Sequence, residues 1–193
     1  ANGWMDEGHT FVTARDLVTL ADAMVTRHPA YYRHFVGAGS FAYNGISQRN
    51  HDPLLGEVEG ADGIKTGFTN QAGYGFLGSA QRGGRRLVMV VAGSPTGRQR
   101  NAAAKAFMEW GFSAFDSRVL FPVDRPIGSA RVQGGGLRHV DLVPRRPVRL
   151  ALEHGARPAV TVKLRYEGPL RAPIARGQQV ASLQIFLDGR QVS

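Results

Sequence analysis

Three strand-like runs, Gly63 to Thr69, Tyr74 to Gln81 and Arg86 to Ala92, follow one another with only Asn70 to Gly73 and Gly83-Gly84 between them. Connections this short leave no room for a crossover helix, so neighbouring runs must pair antiparallel, as a meander. Leu87-Val88-Met89-Val90-Val91-Ala92 is apolar without alternation, which predicts a strand covered on both faces, by helices on at least one. Thr13-Ala14-Arg15-Asp16 is an N-cap signature with a carboxylate at the third helical position, and apolar Leu17, Leu20, Ala21, Met24 and Val25 follow at helical spacing. This predicts a helix over Thr13 to Arg27, closed by Pro29. A shorter helical piece is expected over Tyr31 to Phe35, a strand over Phe41 to Ser47, a turn over Gln48 to Pro53, and a helix over Thr96 to Trp110 ended by Gly111.

After Phe115 the pattern changes to short alternating stretches broken by glycine and proline: Ile127 to Val132, Val140 to Val143, Val148 to Leu152, Val160 to Tyr166 and Val180 to Leu187. Five strands in so short a stretch predict a small β-sandwich or barrel, with its boundary near Asp116 to Pro126. The 193 residues suffice for one substantial core or two modest ones, and 42% hydrophobic content fits a globular chain. No apolar run approaches the roughly 20 residues that would span a bilayer, and Ala1-Asn2-Gly3-Trp4 has no targeting pattern. The absence of cysteine excludes a disulfide framework and a thiolate nucleophile.

The formal net charge of +9 is uneven: eleven Lys or Arg stand against nine Asp or Glu through Phe115, and thirteen against six from Asp116 onward. In the second part Arg145, Arg146, Arg149, Arg157, Arg165, Arg171 and Arg176 alternate with apolar residues. An anionic surface is one partner for such a face; a solvated strand face is the plainer reading. The clustered basic and stacking aromatic residues of a nucleic-acid binder are missing.

Chemistry concentrates in Asp62-Gly63-Ile64-Lys65-Thr66-Gly67-Phe68-Thr69-Asn70-Gln71-Ala72-Gly73-Tyr74. Lys-Thr-Gly is one of three motifs of β-lactamases and penicillin-binding proteins, the others being Ser-x-x-Lys and a Ser-x-Asn type loop. A strand edge can offer an ammonium and a hydroxyl to a substrate carboxylate, while glycine lets a substrate backbone approach as an added strand. On the tripeptide alone, an ordinary hairpin strand with exposed Lys and Thr is the simpler account. None of Ser40, Ser47, Ser79, Ser94, Ser113, Ser117, Ser129 or Ser182 has a lysine three residues on. No Gly-x-Ser-x-Gly elbow is present, and His9, His28, His34, His51, His139 and His154 lack paired metal spacing. Trp4 and Trp110 are expected to fill cores.

Longer stretches carry a resemblance. Asn2-Gly3-Trp4 with His9 and Thr13-Ala14-Arg15-Asp16-Leu17, then Phe41-Ala42-Tyr43-Asn44-Gly45-Ile46, Asp62 to Gly73, Arg100 through Trp110-Gly111-Phe112, and finally Tyr166 to Val180 occur in order along nearly the whole chain. Together they resemble the D-alanyl-D-alanine carboxypeptidases, the low-molecular-weight penicillin-binding proteins of serine peptidase type. The resemblance implies an α/β (α+β) serine β-lactamase/transpeptidase-like domain over 1–116, incomplete, with an antiparallel sheet and flanking helices. A small all-β domain would follow over 117–193. Family members place the nucleophilic serine, its lysine and the Ser-x-Asn loop in a segment that would precede Ala1, so the isolated chain is expected to be inactive.

By the same resemblance, Lys65 would hold positive potential against the substrate's terminal carboxylate and help move a proton near the serine, and Thr66 would hydrogen-bond that carboxylate. Gly67 would permit close approach, and the Phe68 N–H would be one of two oxyanion donors. Arg100 is a candidate for a further carboxylate contact, with Arg98 its competitor, and either also suits a plain surface position at a helix start. Implied partners are peptidoglycan stem peptides ending in D-Ala-D-Ala and β-lactam antibiotics, with no metal, no organic cofactor and no nucleic acid. The implied location is the periplasm or cell envelope, with a C-terminal membrane anchor beyond Ser193. A β-lactamase or endopeptidase on the same scaffold, and a non-catalytic envelope binding module, are the alternatives; the downstream β domain argues against a simple β-lactamase.

Overall fold

The computed structural model describes residues 10–192. The chain forms two compact units, Ala1–Ala114 and Phe115–Ser193. The expected matches at Asn2-Gly3-Trp4 and His9 lie outside the described residues.

In the first unit α1 (Ala14–Arg27) starts on a complete capping box: the Thr13 Oγ1 accepts from the Asp16 N–H, and the Thr13 N–H donates to the Asp16 carboxylate at 2.9 Å. Helix α2 (Pro29–Phe35) begins at Pro29, earlier than expected, because proline pre-sets φ at a first helical position while ending α1. The stretch expected as one strand, Phe41 to Ser47, is instead a hairpin of β1 (Ser40–Tyr43) and β2 (Ile46–Arg49), and β2 takes the start of the expected Gln48 to Pro53 turn. Asn44 (φ 49°) and Gly45 (φ 77°) make the reversal, both with the positive φ that a two-residue hairpin turn demands.

A three-stranded antiparallel sheet follows, ordered β3 (Ala61–Thr69), β4 (Gly73–Arg82), β5 (Arg85–Ser94). The meander is as predicted, but the strand buried on successive residues is β4, with Phe76, Leu77, Ser79 and Ala80 all buried. Of the expected all-covered run in β5 only Met89 is buried, since β5 is a sheet edge and β4 the centre.

Helix α3 (Gly97–Ser113) opens on Thr96, whose Oγ1 accepts from the Gln99 N–H, and it runs past Gly111 rather than ending there. Gly111 serves packing: a Cβ there would lie 3.0 Å from the Leu87 side chain, so its absence lets α3 close on β5. Arg100, Ala104 and Met108 form the buried stripe of α3, spaced four apart. Ala104 and Met108 join Leu54, Val58, Phe76, Ala80 and Met89 in the core, with Leu87, Val91 and Phe112 packed against it. By contrast, Tyr31, Phe35, Phe41, Tyr43 and Ile46 are all exposed.

The second unit is all strand among its described residues: β6 (Phe115–Phe121), β7 (Gly128–Gln133), β8 (His139–Leu142), β9 (Val148–Glu153), β10 (Val160–Tyr166), β11 (Leu170–Arg171), β12 (Ala181–Leu187) and β13 (Arg190–Gln191). They pair as β6-β9, β11-β7-β8 and β10-β12-β13. Strand β6 occupies the stretch read from sequence as a boundary; Asp116 and Arg118 interrupt its apolar pattern, and antiparallel pairing with β9 supplies what the pattern lacks. Ala130, Leu142, Leu150 and Ile185 are buried. No helix among the described residues is long and apolar enough to cross a membrane.

Candidate functional site

Among the described residues strand β3 is an edge of its sheet, with β4 as its sole neighbour there, which leaves one side of its backbone able to pair with an incoming chain. Lys65 lies opposite Leu77 and Thr66 opposite Phe76. Being consecutive, the two side chains leave opposite faces of the sheet and can meet a common ligand only along its open edge. Lys65 is exposed, and its Nζ donates to the Thr66 carbonyl at 2.6 Å; Thr66 is partly buried. A Cβ built on Gly67 meets nothing within 4 Å. Phe68, 53% exposed, lays its ring on Tyr74, directly across the register, at a centroid distance of 4.3 Å.

Arg100 is 8% exposed, far from the surface position that a helix-start arginine usually takes. Its Nη1 donates to the Gly75 carbonyl at 3.1 Å and its Nε to the Asn101 Oδ1 at 2.7 Å. Gly75 is the residue that pairs with Gly67, so Arg100 ties α3 to β4 immediately behind the open edge. Arg98 is exposed. Asp52 caps the loop before β3 by accepting from the Leu54 N–H at 2.7 Å; its Oδ2 is buried without a hydrogen-bond partner among the described residues, and burial raises its carboxyl above the usual range, opposed chiefly by backbone N–H donation and less by Arg100.

The Lys65–Phe68 run therefore comes together on one edge with Arg100 behind it. Sequence reasoning did not identify the group at the other end of β3. There the Tyr32 hydroxyl donates to the Asp62 carbonyl at 3.2 Å and to Asp62 Oδ1 at 3.0 Å. Arg86 Nη1 donates to the same carboxylate at 2.8 Å and to Ser79 Oγ, while its Nη2 reaches Gln81 Oε1 at 2.8 Å. Burial pushes the Tyr32 phenol up to about 12. The one signal in the sequence was Asp62 itself, three residues before Lys65. Among the described residues no three His, Cys, Asp or Glu side chains gather as a metal site.

Residues 1–96 match the family model described as D-alanyl-D-alanine carboxypeptidase, and residues 115–193 that of the penicillin-binding protein 5 C-terminal domain. The chain is 30% identical to the D-alanyl-D-alanine carboxypeptidase DacD of Escherichia coli over 183 residues, which is 94% of this chain and 47% of that protein. It is 30% identical to DacA of Haemophilus influenzae, over 98% of this chain and 49% of the relative. The chain thus spans about half the length of the curated relatives it matches. The structure is similar to penicillin binding protein 5 of Haemophilus influenzae, with a TM-score of 0.76 and 29% identity over 98% of this chain and 56% of that one. It is also similar to penicillin-binding protein D2 of Listeria monocytogenes in its ampicillin-bound form, with a TM-score of 0.53 and 33% identity over 57% of this chain and 46% of that one. An antiparallel sheet with flanking helices, an all-strand second unit and both family matches agree: the chain belongs to the D-alanyl-D-alanine carboxypeptidase family of penicillin-binding proteins.

Proposed function

We propose that this chain supplies the carboxylate-binding edge of a serine D-alanyl-D-alanine carboxypeptidase that trims the terminal D-Ala from peptidoglycan stem pentapeptides and is acylated by penicillins. The observation that carries the reading is the open β3 edge, on which exposed Lys65 and partly buried Thr66 precede a glycine with empty space where a side chain would stand. A substrate ending in D-Ala-D-Ala adds to this edge as a strand. Its terminal carboxylate then meets the Lys65 ammonium and the Thr66 hydroxyl, an electrostatic and positioning role. The Phe68 N–H serves as one oxyanion donor. Arg100 positions the edge through Gly75 and presents its positive charge from behind, supporting the carboxylate contact.

The nucleophile, a serine with a lysine one helical turn later, comes from a part of the protein outside these 193 residues. Its hydroxyl oxygen attacks the penultimate D-Ala carbonyl, the C–N bond breaks, the departing D-Ala amine takes up the serine's proton, and water hydrolyses the resulting ester. The work is done in the cell envelope, on the periplasmic side, with a membrane tether supplied by the whole protein. Fluorescent-penicillin labelling tests this. The chain alone should take no covalent label, and the protein carrying the serine-bearing segment should be labelled. An adduct on the isolated chain overturns the account of the nucleophile. A longer protein that stays unlabelled points to a non-catalytic envelope module.

A further inference from the structure

Edge strands are held by one neighbour only, and a slip of a single residue would send Lys65 to the opposite face of the sheet. Something has to fix the register of β3, and the pairing with β4 shows where. Ala61 lies opposite Ala80 and Gly63 opposite Ser79, so Asp62 is the extra residue of a bulge, and every pair from Gly63 to Thr69 follows from that one offset. Asp62 is also the residue held by two other elements. Tyr32 comes from α2 and holds both its carbonyl and its carboxylate. Arg86 comes from β5, two strands away, and forms an ion pair with it at 2.7 Å while also reaching Ser79 and Gln81 on β4. Tyr32 is 5% exposed, Ser79 fully buried, and the Arg86 guanidinium lies 5.5 Å from the Tyr32 ring centroid. Gly63 completes the lock. At φ 142° and pressed against Val36 Cγ1 and the Tyr32 hydroxyl, it has no room for a side chain.

We infer that Asp62, clamped by Arg86 and Tyr32, is a positioning residue for the Lys65–Thr66 edge: it pins the bulge that sets which face each of those side chains occupies. Asp62 lies three residues upstream of Lys65 and acts through the strand, not on the substrate. The inference rests on the proposed reading of that edge. It adds that the ion pair earns its place through alignment of the site, over and above any contribution to folding.

The test is made in the full-length, serine-bearing protein, by stopped-flow acylation with a fluorescent penicillin alongside thermal unfolding. Asp62→Asn keeps an acceptor for Tyr32 but loses the charge that holds Arg86. We expect its saturating acylation rate to fall roughly tenfold or more, with the half-saturating penicillin concentration within about threefold of wild type. Arg82→Gln is the control. It breaks the Arg82–Glu109 pair at 2.6 Å, which joins the end of β4 to α3 and shares no hydrogen bond with Asp62, Tyr32 or Arg86 among the described residues, and it should leave acylation within twofold. Equal rates for Asp62→Asn and wild type, or an equal loss in Arg82→Gln, would overturn the inference. If Asp62→Asn does not fold, Ser79→Ala, which removes one anchor of Arg86 and leaves the carboxylate, carries the same test with an expected loss of about threefold. Unlabelled wild-type protein would instead count against the carboxypeptidase reading.

Discussion

At one end of β3, Gly63 is wedged beneath Val36 and Tyr32 with its neighbour Asp62 gripped from two elements, α2 and β5; four residues on, Gly67 looks into open space. Both glycines sit in the same strand and pair across to β4, at Ser79 and Gly75. Only the first is explained by its own surroundings. A glycine whose side-chain space is empty and whose φ is not positive has no structural reason to be a glycine, so the room at Gly67 is room for something that arrives. Strand β3 is in this sense two devices in series: a fixed bulge that sets alignment, and a free edge that uses it.

Substitutions should separate the two ends. Gly63→Ala forces a side chain into Val36 at a left-handed φ, and we expect it to cost about 3 kcal/mol of stability, measured by urea unfolding. Asp62→Asn breaks a partly buried pair and should cost about 1 kcal/mol in the same assay. The Tyr32 phenol, raised by burial from 10.0 to about 12, favours the folded state while it stays protonated. That contribution is complete below pH 10 and is lost as pH rises through about 12, so stability should fall across that window in wild type. It should fall less steeply in Tyr32→Phe, and absorbance titration should find one of the five tyrosines ionising late. Gly67→Ala should change stability by no more than about 0.5 kcal/mol, because nothing lies near the added methyl group. A large loss there would erase the contrast between the two glycines.

The free edge was legible in the sequence and the fixed bulge was not. Lys65, Thr66 and Gly67 are contiguous, and short connections dictated the meander that carries them. The clamp joins Tyr32, Asp62, Ser79 and Arg86, residues scattered over four elements, and no periodicity announces a partnership of that kind. The β1–β2 hairpin was missed for a different reason. Asn44-Gly45 is a turn signal, but the apolar residues on either side read as one continuous strand. Gly111 misled because glycine ends helices when it takes a left-handed φ, whereas here it stays helical and serves the approach to Leu87. Arg100, which the sequence left open between a carboxylate contact and a surface position at a helix start, is buried and donates to the Gly75 carbonyl.

The central claim is that the β3 edge binds the carboxylate of the substrate. The most direct measurement is kcat/KM of the full-length protein on an N-acylated peptide ending in D-Ala-D-Ala, for wild type and Lys65→Ala, with unfolding midpoints taken in parallel. The account predicts a loss on the order of a hundredfold or more with an unchanged midpoint, since Lys65 is exposed and its only hydrogen bond among the described residues is to the neighbouring Thr66 carbonyl. A Lys65→Ala protein that retains kcat/KM within about threefold of wild type would contradict it.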